Sequence, residues 1–264
     1  MPVAASVALR GSVTQRLVAA GCVAAAEEAA ELLDAAPDVL MLERWLGRRE
    51  AGEPLAWITG GMQFDGRWVV VDPGVYVPRL QSEELAQRAA SLLRLTRGRR
   101  LADLCTGSGA VAVSVAHALE GATVVGVDID PAAAACARKN GVAAVVADLG
   151  GALRSDAFDL VTAVAPYVPT DAMGYLPADV QRYEPRRALD GGPDGLTVVR
   201  RVIVDAARLL RDGGWLLLEV GGDQDGELVS ALGQAGFGAI ETWRDEDGDL
   251  RGVAARRRRR DRDD

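Results

Sequence analysis

The chain has 264 residues, of which 49% are hydrophobic and 26% charged, a balance that gives a globular protein a sizeable core and argues against wholesale disorder. Its formal net charge of −8 excludes a global attraction to nucleic acid or to an anionic membrane surface. Three scattered cysteines (Cys22, Cys105, Cys136) without Cys-x-x-Cys spacing, and a single histidine, His117, with no second ligand at helical spacing, point to a reduced, cytoplasmic setting with neither a metal site nor a histidine-based triad.

The first 60 residues read as helices. Residues 13–20, 24–33 and 39–49 carry apolar side chains at intervals of three and four, with breaks at Gly21 and Pro37. Arg10, Gln15, Arg16, Glu27 and Glu28 interrupt the alanine- and valine-rich start, which therefore reads as neither a signal peptide nor a spanning helix. A helical cap over residues 1–60 is expected, serving as scaffold or as a substrate-selecting lid. Residues 61–80 predict a linking β-hairpin, because Phe64-Asp65-Gly66-Arg67 is a turn between apolar stretches. A helix over residues 83–95 follows.

From residue 101 onward strand and helix patterns alternate. Strands are expected at 101–104, 122–127, 142–147, 158–164 and 215–220, with helices centred on Val113, Ala135, Val202 and Leu228. This predicts an α/β fold over residues 81–255, a doubly wound, mostly parallel, Rossmann-like sheet. Residues 256–264, where an arginine run meets Asp261, Asp263 and Asp264, read as a disordered charged tail. Lysine occurs once, at Lys139, among many arginines, a bias that fits GC-rich bacterial coding.

The chemistry is concentrated in LADLCTGSGA, residues 101–110. An apolar strand ending in Asp103 and running into Gly107-x-Gly109 predicts a tight turn whose backbone approaches a ligand at the N-terminus of a helix. The next strand ends in Asp128, where a doubly wound domain places the acid that holds ribose hydroxyls. An acid beside the turn, and no lysine or arginine within it, repels a pyrophosphate but suits a sulfonium and an ammonium. S-adenosylmethionine therefore fits better than a nicotinamide dinucleotide.

Further segments follow one another along most of the chain: Gly52-Glu53-Pro54-Leu55-Ala56-Trp57-Ile58-Thr59-Gly60, Tyr76-Val77-Pro78-Arg79, Glu184-Pro185 with Ala188-Leu189-Asp190-Gly191-Gly192 and Gly195-Leu196, then Leu218-Glu219-Val220-Gly221 and Gln224. In these segments and in residues 103–109 the chain resembles the HemK/PrmC family of protein glutamine methyltransferases. The resemblance implies that Asp103, Cys105 and the backbone of Thr106, Gly107, Ser108 and Gly109 surround the methionine end of S-adenosylmethionine. It also implies that Asp128 accepts from both ribose hydroxyls, that Ile129 packs on the adenine, and that Asp148 with the backbone of Leu149 meets its amino edge.

One segment departs from the family. Where the family carries Asn-Pro-Pro-Tyr, this chain has Val164, Ala165, Pro166 and Tyr167. An amide nitrogen is a poor nucleophile, and the family's asparagine oxygen helps a backbone carbonyl to hold and aim it. Ala165 keeps the carbonyl, whereas Val164 offers only a stiff apolar wall. From sequence, the favoured reading is a transferase repurposed to a less polar small-molecule acceptor in specialised metabolism. The alternatives are glutamine methylation of a Gly-Gly-Gln motif in a release factor or another protein, and a cofactor-binding protein that has lost catalysis. No nucleic acid or membrane partner is expected.

Overall fold

A computed structural model of the chain describes residues 6–222 and 224–259. The N-terminal region is built from helices α1 (Val7–Ala19), α2 (Ala25–Ala35), α3 (Val39–Glu50) and the short α4 (Leu55–Thr59). Ser6 and Asp38 cap α1 and α3 through their side chains, supplying acceptors for amides that have no partner inside the helix. Leu17, Leu32, Leu33, Leu42, Leu46 and Ile58 close a core of their own, so this region folds around its own apolar cluster. Helix α4 was not expected; at five residues it is too short to show a 3.6-residue period.

A two-stranded antiparallel hairpin follows, β1 (Gly61–Phe64) and β2 (Arg67–Val70), as the Asp65-Gly66 turn predicts. Beyond α5 (Ser82–Arg94), the chain alternates β3 (Arg100–Leu104), α6 (Ala110–Ala118), β4 (Thr123–Asp128), α7 (Pro131–Lys139), β5 (Ala143–Val146) and β6 (Phe158–Ala163). After a short helix α8 (Ala178–Tyr183) come α9 (Thr197–Leu209), β7 (Leu210–Glu219), α10 (Asp225–Gln234), β8 (Phe237–Arg244) and β9 (Leu250–Arg257). These strands form one sheet in the order β5-β4-β3-β6-β7-β9-β8, parallel from β5 to β7 and antiparallel at β9 and β8. Helix α9 buries Val199, Val202, Ile203, Ala206 and Leu209 along one face, each larger side chain contributing about 1.5–3 kcal/mol by leaving water.

Two expectations are corrected at the C-terminus. The paired strands β8 and β9 were not anticipated, and Arg256 and Arg257 belong to β9 rather than to a disordered tail. Arg257 is buried, its guanidinium 2.7 Å from an Asp156 carboxyl oxygen. Arg256 donates to the Gly213 carbonyl at 3.0 Å and lies over the Trp215 ring. An aliphatic stem can cover apolar surface while its charged head finds a partner, so an arginine run does not by itself mark a solvated tail. Arg258 and Arg259 follow β9, exposed and outside regular structure, and the last part of that expected tail, residues 260–264, lies outside the described residues. Among the described residues no helix is long and apolar enough to cross a membrane.

In the sheet order, β3 leads to β4 on one side while β6 lies on the other, so the strand order reverses between β3 and β6. Doubly wound folds bind ligands at the strand C-terminal ends at such a point. The ends of these two strands carry the glycine turn and Val164.

Candidate active site

After β3 the backbone enters the left-handed region three times, at Cys105 (φ 56°), Gly107 (φ 57°) and Gly109 (φ 82°). The two glycines serve different ends. A Cβ added at Gly107 would meet nothing within 4 Å, so this residue leaves open space in front of the turn. One added at Gly109 would lie 2.9 Å from Val142 Cγ2 and 3.1 Å from Ala137 Cβ, so glycine there permits the close packing beneath the turn.

Asp103 sits under the turn, 2% exposed, where its two carboxyl oxygens accept from Thr106 Oγ1 at 2.6 Å and Thr162 Oγ1 at 2.7 Å. Burial pushes its carboxyl up to about 6, opposed by the two hydroxyls and reinforced by nearby Asp128. An acid with a raised folded pKa binds its proton more tightly in the native state, so its contribution to stability is complete below about pH 4 and is lost as pH rises through about 6. Asp103→Asn should therefore raise the melting temperature of the ligand-free protein at pH 7–8, a gain on the order of 1–3 kcal/mol that vanishes near pH 4. Equal melting temperatures for variant and parent at both pH values would refute the assignment of a strained buried charge.

Asp128, at the end of β4, holds the turn from the other side. One oxygen accepts from the Gly107 amide at 2.9 Å and the other from the Asp130 amide at 2.9 Å. A carboxylate has about four lone-pair sites, so each oxygen keeps capacity for a further donor. Burial pushes this carboxyl up too, against the lowering effect of the two amides.

A cavity of about 260 Å³ opens in front of the turn. Of the residues singled out from sequence, Cys105, Gly107, Asp128, Ile129, Asp148, Leu149, Val164 and Pro166 line it. Asp103, Thr106, Ser108 and Gly109 do not line it and form the buried support. Asp148 is exposed and ion-paired with Arg201 at 2.7 Å, so an adenine reaching it would meet a carboxylate already shared with a guanidinium. Desolvation, with the charges of Asp128, Asp103 and Asp148, pushes the Cys105 thiol up and keeps it a poor nucleophile.

A second, larger cleft of about 770 Å³ lies between the helical region and the sheet, lined among others by Cys22, Val23, Arg79, Gln81, Ala165 and Tyr167. Trp57 Nε1 donates to the Val75 carbonyl and Tyr183 OH to the Ala51 carbonyl, tying the helical region to the sheet domain. Tyr76, Val164 and Ala188 line both the cleft and the cavity, so the two spaces share a wall just past the end of β6.

Sequence reasoning gave no role to a polar cluster at this wall. Glu219, 1% exposed at the end of β7, accepts from Ser82 Oγ at 2.5 Å, from Gln81 Nε2 at 3.1 Å and from Tyr167 OH at 3.2 Å. Glu184 accepts from Arg79 at 2.6 Å and from the Val77 amide at 3.3 Å. The family motifs contain Arg79, Tyr167, Glu184 and Glu219 but not Gln81 or Ser82, and only the tertiary structure brings residues 138 positions apart together.

Comparison with known proteins supplies the family. A family model described as a methyltransferase domain matches residues 101–182. A release factor glutamine methyltransferase of Moorella thermoacetica is 44% identical over 198 residues, covering 72% of this chain and 69% of the relative. The chain belongs to the release factor glutamine methyltransferase family. A second member, from Gloeobacter violaceus, is 41% identical over 210 residues, covering 76% of this chain and 73% of its own. Two solved structures share the fold. The ribosomal protein L11 methylase of Lactobacillus delbrueckii subsp. bulgaricus superposes with a TM-score of 0.53 at 19% identity, covering 72% of this chain and 84% of that one. The Mtq2–Trm112 complex of E. cuniculi, responsible for methylation of the eRF1 termination factor, gives 0.51 at 22% identity, covering 70% and 99%. The protein is thus an S-adenosylmethionine-dependent methyltransferase of the HemK/PrmC family.

Proposed function

We propose that the protein methylates the side-chain amide of a glutamine presented on a peptide-chain release factor. The observation that carries this reading is the shared wall at Val164, Tyr76 and Ala188, where a cleft of about 770 Å³ meets the cavity in front of the glycine turn. The relatives, named for glutamine methylation of release factors, support a protein acceptor. This departs from the small-molecule acceptor that Val164 suggested, because a single apolar replacement weighs less than similarity across most of the chain.

In this reading the cavity holds S-adenosylmethionine, which when bound supplies an electrophilic methyl on a sulfonium. The open face of Gly107, the spare lone pairs of Asp128, the apolar face of Ile129 and the negative charge beneath the turn at Asp103 all fit a cationic nucleoside. Pro166 and Val164 make the wall apolar, and Ala165, which lines the cleft, would offer its backbone carbonyl to the substrate. Burial pushes the Tyr76 and Tyr167 phenols up, so both remain neutral hydroxyls able to cover the substrate. The enzyme then acts by aligning and desolvating the amide rather than by covalent participation. Residues 1–60 serve as the selecting cap.

The test is methyl transfer to a release-factor domain carrying Gly-Gly-Gln, followed by mass spectrometry of the glutamine peptide. A single added methyl on that glutamine, at about 1 per second or within a few orders of that rate, is the expected result. Val164 favours a second reading, a less polar acceptor that packs on the wall. Turnover on such a molecule, with none on the Gly-Gly-Gln domain, would establish that reading instead.

A further inference from the structure

If the acceptor is a glutamine amide, as proposed above, the site must replace the hydrogen-bond acceptor that Val164 removes. We infer that Gln81 does so, and that its Oε1 binds and aims the substrate NH₂ from the opposite element. Gln81 immediately precedes α5 and lines the same cleft as Val164, Ala165 and Tyr167. Its Nε2 lies 3.1 Å from Glu219 Oε1 and 3.2 Å from Tyr167 OH, which commits both amide hydrogens. The flipped amide would set its oxygen against the carboxyl oxygen of Glu219, so the partners fix which end is nitrogen.

That leaves Oε1 as the uncommitted group. Among the described residues nothing donates to it, and Gln81 is only half-buried, so a ligand in the cleft can reach it. Glu219 is itself braced by Ser82, and Tyr167 by Glu219, so the amide is held by a network rather than by a lone rotamer. A held carbonyl oxygen on a cleft that Ala165 also lines would, with the Ala165 carbonyl, provide the two acceptors that a primary amide requires, one for each N–H. The acceptor pair is thus preserved although one member has moved from the loop after β6 to the start of α5.

Gln81→Met keeps the length and removes both polar ends. With the full chain, S-adenosylmethionine and the Gly-Gly-Gln domain, kcat is expected to fall by about a hundredfold, the scale for losing one aligned hydrogen bond at a reacting group. S-adenosylmethionine affinity, measured by calorimetry, should stay within about twofold, which also reports that the variant is folded. The double variant Gln81→Met with Val164→Asn returns an acceptor at the old position and should recover most of the lost rate, a rescue that a merely structural role for Gln81 cannot give. If Gln81→Met retains the parental kcat, or if the double variant is no faster than Gln81→Met, the assignment is overturned while the glutamine reading stands. Absence of transfer by the unmodified protein overturns that reading, and this assignment with it.

Discussion

Replacing Asp128 by alanine is expected to weaken S-adenosylmethionine binding by roughly a hundredfold. Two ribose hydroxyls each donating to a carboxylate contribute about 1.5 kcal/mol apiece, and about 3 kcal/mol is two powers of ten in the dissociation constant. The effect extends to the turn itself, because the same side chain accepts from the amides of Gly107 and Asp130. Asp128→Asn keeps one acceptor oxygen and should fall between the two. Calorimetry on the three proteins decides the matter: an alanine variant binding within threefold of the parent would remove Asp128 from the cofactor site. Since burial raises Asp103 to about 6, affinity for a cationic ligand should also decline as pH falls toward 6, where Asp103 takes up a proton, and the upward shift of Asp128 acts in the same direction.

The largest effect on folding is expected at Gly109. Gly109→Val places a β-branched residue at φ 82° with its Cβ 2.9 Å from Val142 and 3.2 Å from the Ala137 backbone. The left-handed conformation costs about 1–2 kcal/mol and overpacking about 1–3 kcal/mol, so a loss of about 3 kcal/mol or more is expected. Gly107→Ala provides the contrast. It meets no neighbour, so it should cost only about 1 kcal/mol of stability while filling the space in front of the turn and weakening ligand binding. Chemical denaturation and calorimetry on both variants separate these roles; if Gly109→Val is as stable as the parent, the packing argument fails. The two glycines, alike in sequence, would then have been assigned the wrong way round or to no distinct purpose.

The sequence by itself determined the parallel part of the sheet and the glycine corner, because both rest on local physics. Buried parallel strands read as continuous apolar runs, and a turn into the left-handed region announces itself through glycine. It likewise determined that residue 164 lacks a polar side chain. The C-terminal strands escaped it because their arginines look solvated until the pairing of β9 between β7 and β8 supplies Asp156, Gly213 and Trp215 as partners. The Asp247-Gly248 pair between the two strands was the local signal that could have revealed the hairpin. Which acids line the cavity and which support it was also beyond local reading: Asp103 and Asp128 both lie in the last two residues of their strands, yet of the two only Asp128 borders the open space. Only the tertiary structure could decide the setting of Gln81, since its amide is oriented by Tyr167 and Glu219, side chains that the chain brings to it from 86 and 138 residues away. A hydrogen bond depends on distance and angle between groups, and sequence spacing carries that information only within a turn or two of the same element.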